Sequence, residues 1–301
     1  MSSSNAAMKP WNVSRQDLSS PITTIAAIDS WVSCDAMVDL IVEFGGGVVG
    51  LNQPELLDYV RKFAAEHWDF RQGRERQQAS RPAQVDVNRR QIILDAAQEL
   101  GLMGVSGIAL LTVNVVVVLA GTVWATRDRL LRALELLHDS VAAERLVILG
   151  GDRFLSDGER AWFGEMGLPD CRDEASAMRA IVSHEESPLG HVGDGDPPIE
   201  ILIAPSGQPA HRTNTEDQLR YLDEHTKAAG TALCVTNAIY VPYQGATAVR
   251  CLGFESGWGV EMASVAPGPS SADSWYLYLQ EIKAAIDAMI VLRRYLADQT
   301  P

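Results

Sequence analysis

The chain has 301 residues, 47% of them hydrophobic and 21% charged, with a formal net charge of −14 and a pI of about 4.8. Such acidity argues against nucleic acid, anionic membrane surfaces and polyanions as general partners, while a small anionic ligand could still be held by local backbone dipoles. The four cysteines, Cys34, Cys171, Cys234 and Cys251, show no C-x-x-C spacing, which points to a reduced, cytoplasmic setting without structural zinc.

The first ten residues carry no apolar run of the kind a secretory signal needs. The longest apolar stretch, Ile108 to Ala120, is shorter than a membrane-spanning helix requires and holds Asn114. Residues 1 to about 20 are polar and read as loosely ordered. From Pro21 the pattern turns helical: Ile25, Ile28, Trp31 and Val32 share a face, continued by Met37, Leu40 and Ile41. Gly45-Gly-Gly47 then stops the helix. Asn52 or Gln53 caps the next one, with Pro54 in its first turn and Leu56, Leu57, Val60 and Phe63 inside. The run Arg71 to Arg81 reads as a solvated loop, and a further helix covers about Val87 to Leu100.

An alternating pattern begins near Leu111. Val115 to Leu119 is a β-branched run typical of a strand buried on both faces. A Gly121–Thr122 turn leads into an amphipathic helix with Leu130, Leu134 and Leu137 on one side, and a second strand, Leu146 to Leu149, ends at Gly150-Gly-Asp152. This is a βαβ unit. Ser156 and Glu159 have capping-box spacing and open another helix, with one more at Glu174 to Val182. Ser183 to Pro198 reads as an acidic surface loop. Strands follow at Ile199–Ala204, Ala232–Thr236 and Val260–Val265, interleaved with helices at Thr215–Ala229 and from Pro242 to Gly253. A terminal helix from Ser274 places Tyr278, Ile282, Ala285, Met289 and Leu296 at core spacing. The expected fold is therefore α/β. It has a Rossmann-like parallel sheet flanked by helices over 108–266, a helical N-terminal lobe over 1–107, and a C-terminal helix over 267–301 that packs back on the body.

In such sheets ligands sit beyond the carboxyl ends of the strands. Gly121–Thr122 and Gly150–Gly151 occupy two such ends, where glycine lets backbone approach a ligand and helix N–H groups face it. Arg212 to Gln218 holds overlapping capping boxes, Thr213 with Glu216 and Thr215 with Gln218, leaving Asn214 to point outward. Asn237, Tyr240 and Tyr243 follow a strand and could flank the same crevice. Gly45-Gly-Gly-Val-Val-Gly50 spells G-x-G-x-x-G, but what precedes it looks helical, so a helix stop and loop is preferred to a dinucleotide site. His184, Glu185, Glu186, His191, Asp194, Asp196 and His211 fit no metal-ligand spacing, and no metal is expected.

The order of these motifs, Val116 to Gly121, Leu146 to Gly151 with Ser156 and Glu159, Arg212 to Gln218, and Leu233 to Asn237, resembles the YdcF/SanA/ElyC-like domain family, its YdcF branch most of all. The resemblance implies a Rossmann-like fold binding S-adenosylmethionine or a related nucleotide ligand. Together with the residue reading it marks Gly121, Thr122, Arg127, Gly150, Gly151, Asn214, Thr215, Asn237 and Tyr243 as ligand-binding positions. Asp152, Glu159 and Glu216 are the acid–base candidates. A transferase is slightly favoured over a hydrolase acting on a polar or phosphorylated metabolite, a non-catalytic interaction protein is the remaining alternative, and a homo-oligomer is left open.

Overall fold

The structure is a computed structural model that describes residues 9–48, 50–72, 85–105, 107–184, 197–206, 213–226, 228–267 and 274–300. Four helices come first: α1 (Pro21–Val32), α2 (Asp35–Glu43), α3 (Gln53–His67) and α4 (Val87–Glu99). The alternating region follows as β1 (Thr112–Leu119), α5 (Val123–Asp139), β2 (Ala142–Gly151), α6 (Asp157–Glu165), α7 (Glu174–His184), β3 (Ile199–Ala204), α8 (Thr215–Glu224) and β4 (Thr231–Asn237). Then come α9 (Val241–Ala248), β5 (Gly259–Val265) and α10 (Trp275–Asp298). The chain forms two compact units: Met1–Val105 with Ala238–Arg250 and Ala266–Pro301, and Ser106–Asn237 with Cys251–Val265.

The helical unit is built on an apolar interior. Pro21 opens α1, where its missing N–H costs nothing. Asn52 caps α3 in a reciprocal box: its Oδ1 accepts from the Glu55 N–H at 3.2 Å, and Glu55 Oε2 accepts from the Asn52 N–H at 3.1 Å. Gly45, at φ 87°, ends α2 in the left-handed conformation that glycine takes without strain. No strand precedes the G-x-G-x-x-G stretch, which lies between α2 and α3. The 24-residue α10 packs against α1, α3, α4 and α9, all in its own unit. The Trp31 indole N–H donates to Leu100 O at 3.1 Å, and Arg293 pairs with Asp29 at 2.7 Å. One expectation needs correcting here. Trp11 and Val13 belong to the buried core rather than to a loose terminus, because Trp11 lies on Gly101, where a Cβ would come within 2.5 Å of the indole ring.

The sheet unit holds five parallel strands in the order β3-β2-β1-β4-β5. Side chains alternate across it. Val116 and Val118 join Leu146, Ile148, Leu233 and Val235 in one apolar cluster with α5, α6 and α7, while Val115 and Val117 are buried on the opposite face. Full burial of each such Val or Leu contributes about 1.5–3 kcal/mol. Within the unit, α5 crosses β1, β4 and β5, α7 packs on β2, β3 and α5, and α8 lies against β2 and β3. Burial pushes the Cys234 thiol in β4 up to about 12, so it stays protonated. Glu261 of β5 accepts from the Ala109 and Leu110 N–H groups at 2.6 and 2.8 Å, which fixes the segment leading into β1.

Three elements differ from the sequence expectation, one being α8, which ends at Glu224 rather than Ala229. β2 starts at Ala142 rather than Leu146, since the backbone of Ala142-Ala-Glu-Arg145 pairs with Thr112 to Val115 of β1 and needs no large apolar side chains to do so. The helix expected from Pro242 to Gly253 is α9, which passes into a π-helical turn at Val249–Phe254. The Arg71 to Arg81 run beyond Gln72, residues 185–196 of the acidic loop, and His211 and Arg212 lie outside the described residues.

Candidate functional site

After β3 the chain returns past β1 to lay down β4, so the strand order reverses between β1 and β4. Ligands of open α/β sheets bind outside the carboxyl ends near such a reversal. The residues there are Ala120-Gly121-Thr122 after β1, Gly151-Asp152-Arg153 at the end of β2, Ala204 closing β3 and Asn237 closing β4. Leu119 pairs with Leu149 and Gly151 with Ala204, so these ends share one edge of the sheet.

Arginines dominate this edge, and the sequence reading did not single out either of them. Arg153 directly follows β2, with its side chain only 10% exposed. Its guanidinium donates to Glu159 Oε1 at 2.6 Å and Oε2 at 2.8 Å, to Glu174 Oε2 at 2.6 Å, and to Gly121 O at 2.7 Å. A single side chain thereby joins the β1–α5 turn, α6 and α7. Arg129 of α5 is equally buried. It donates to Asn237 Oδ1 at 2.6 Å, to Ala120 O at 3.2 Å and to Leu119 O, bridging the strand ends where the order reverses.

Glu159 accepts from five donors: Arg153 Nη1 and Nη2, the Ser156 N–H at 2.9 Å, the Ser156 hydroxyl at 2.8 Å, and the Val123 N–H at 3.2 Å. Burial alone would raise its pKa. The bonds from Arg153 and Ser156 outweigh that and hold the carboxyl at about 2. Such a group stays ionised and fully engaged, which suits a clamp better than a proton acceptor. Burial would likewise lower the Arg153 guanidinium, but Glu159 and Glu174 reverse the sign and raise it.

The glycines are explained by packing. A Cβ on Gly150 would meet Met178 Cε at 2.3 Å, and one on Gly151 would meet Thr213 Cβ at 2.7 Å, while one on Gly121 would sit at an ordinary 3.5 Å from the Arg129 guanidinium. Thr213, whose hydroxyl donates to Ala204 O at 3.1 Å, lies one residue before the N-cap of α8. Asn214 caps it instead: its Oδ1 accepts from the Asp217 N–H at 3.0 Å, and Asp217 Oδ2 accepts from the Asn214 N–H at 3.1 Å. Both boxes expected from the sequence are therefore shifted by one frame, and the Asn214 carbonyl is spent on the cap. Thr215 is buried as the first residue of α8.

The remaining positions fall elsewhere. Glu216 pairs with Arg220 at 3.1 Å along α8, Arg127 lies 4.0 Å from Asp128, and Tyr243 belongs to α9 of the helical unit. Asp152 stands apart: it is exposed at the end of β2, and its carboxylate makes no hydrogen bond or ion pair among the described residues. The Thr122 side chain makes no cap hydrogen bond to α5. Phe154, two residues beyond Asp152, is 82% exposed. Among the described residues no group of three or more His, Cys, Asp or Glu side chains could hold a metal ion, and no helix is long and apolar enough to cross a membrane.

The family described as the Rv3785 N-terminal domain matches residues 15–101, which lie wholly in the helical unit. No curated protein and no solved structure matches the chain. The resemblance to the YdcF/SanA/ElyC-like family is thus overturned, since the family that does match is a different one. The structure also shows why its motifs misled. Ser156–Glu159 and Asn214–Asp217 act as helix caps, and Gly150 and Gly151 relieve close packing, all of which any parallel α/β sheet needs.

Proposed function

We propose that the sheet unit binds a nucleoside-type small molecule, adenosyl compounds such as S-adenosylmethionine included, at the carboxyl edge between β1 and β2. The observation that carries this reading is the Asp152 carboxylate, exposed and without a partner among the described residues, at the end of the strand next to β1. A carboxylate at a strand end of this kind can accept both hydroxyls of a ribose diol, the role an acidic residue plays in dinucleotide-binding sheets. The Thr122 hydroxyl on the adjoining turn and the exposed Phe154 ring supply a second polar contact and a face for a base. A reducing, cytoplasmic setting belongs to the same proposal, since Cys34, Cys171, Cys234 and Cys251 form no disulfide.

The test is thermal melting against adenosine, S-adenosylmethionine, S-adenosylhomocysteine, ATP and NAD. A ligand of the native state raises the melting temperature with its concentration. The reading expects that rise with the first three compounds. If none of the five moves the transition, the reading fails.

A further inference from the structure

The β1–α5 turn is where a parallel sheet of this order would take a phosphate, because unpaired N–H groups at the start of the helix face an incoming anion. In this chain the place is filled. The N–H of Val123, the first residue of the 17-residue α5, donates to Glu159 Oε1 at 3.2 Å. The cation that would assist an anion is present too, but Arg153 gives its donors to Glu159, Glu174 and Gly121 O. Glu159 is 1% exposed and Glu174 5%. The Glu159 carboxylate already holds the Val123 N–H and two Arg153 donors, so a phosphate could reach them only by displacing it.

We infer that Glu159 is a built-in anion that occupies the phosphate position of the β1–α5 turn and makes the neighbouring site selective for ligands carrying no phosphate there. This specificity role rests on the nucleoside reading for its biological meaning, yet the chemistry can be tested without any nucleoside. Glu159→Gly removes the carboxylate and leaves room bordered by the Val123 N–H and the Arg153 guanidinium. Glu159→Gln removes the charge but keeps the volume.

The experiment melts wild type, Glu159→Gly and Glu159→Gln in low-millimolar potassium acetate, potassium phosphate or potassium chloride, a range where general salt exclusion is weak. Both variants should melt below wild type. Only Glu159→Gly should recover, by roughly 3 °C once acetate or phosphate reaches about ten times its Kd, with chloride ineffective and wild type indifferent. If Glu159→Gly does not fold in plain buffer, the yield of folded protein on refolding with acetate or phosphate is read instead. The inference is overturned if neither anion restores Glu159→Gly, if Glu159→Gln responds equally, or if wild type binds phosphate as well as the variant does. A purely structural Glu159 would make the two variants alike. Failure of nucleosides to bind wild type would sink the ligand reading and leave this anion test standing.

Discussion

The two units differ in how completely their buried polar groups are satisfied. In the sheet unit Arg129, Arg153, Glu159 and Glu261 are nearly solvent-free, and each is tied by short hydrogen bonds to strand ends, turns or helix starts. In the helical unit the buried Trp11 Nε1, Thr24 Oγ1 and Trp68 Nε1 have no hydrogen-bond partner among the described residues. An unsatisfied buried donor costs about 1–3 kcal/mol. The helical unit therefore carries polar atoms that add nothing to its stability, held in place by apolar packing. The sheet unit uses polar atoms to fix its loops. Removal should accordingly be expensive at the tied groups of the sheet unit and nearly free at an unsatisfied one such as Thr24, and that contrast can be attacked directly.

The largest effect should come from Arg153→Ala. It removes the guanidinium shared by two buried carboxylates, Glu159 and Glu174, and should lower unfolding stability by about 3–5 kcal/mol, read from the denaturant midpoint. A loss under about 1 kcal/mol would mean that the cluster is not the clamp described above.

Next comes pH. Glu159 sits at about 2 in the fold against about 4.3 in an unfolded chain, a difference worth about 3 kcal/mol. Because the folded value is the lower one, this stability is fully present above about pH 5 and is lost as the pH falls through 4 toward 2. Glu159→Gln should flatten that slope, and an unchanged acid limb in the variant would contradict the assignment.

Arg129→Met is expected to cost about 2–3 kcal/mol by leaving Leu119 O, Ala120 O and Asn237 Oδ1 short of a donor. Thr24→Val in the helical unit closes the series. It keeps the shape, deletes an unpaired hydroxyl, and should change stability by less than about 1 kcal/mol, in the stabilising direction if at all. A large loss there would erase the contrast between the units.

The central strands were legible because β1 and β2 are buried on both faces over Val115–Leu119 and Leu146–Leu149 and so appear as unbroken Val, Ile and Leu runs. The helical unit was legible element by element, but not in its assembly. Ala238–Arg250 and α10 join Met1–Val105 over more than a hundred intervening residues, and no local pattern reports such long-range pairing. The candidate site was legible in place more than in detail. Gly121, Gly151 and Asn237 do stand at strand ends, yet Arg153 and Arg129 were not singled out. Arg129 could have been found: it follows Thr126 and precedes Ala133 on the inner row of α5, a spacing that puts a charge against the sheet. Arg153 left no such trace, since its partners come from α6 and α7 and only folding brings them together.

The central claim is that Asp152 receives the hydroxyls of a nucleoside ligand. Calorimetric titration of adenosine and S-adenosylmethionine into wild type and Asp152→Asn tests it most directly. The account predicts saturable binding to wild type and an affinity about 10- to 100-fold weaker in the variant, as expected for losing charge-assisted hydrogen bonds. Equal binding by both proteins, or no binding to wild type, would contradict it.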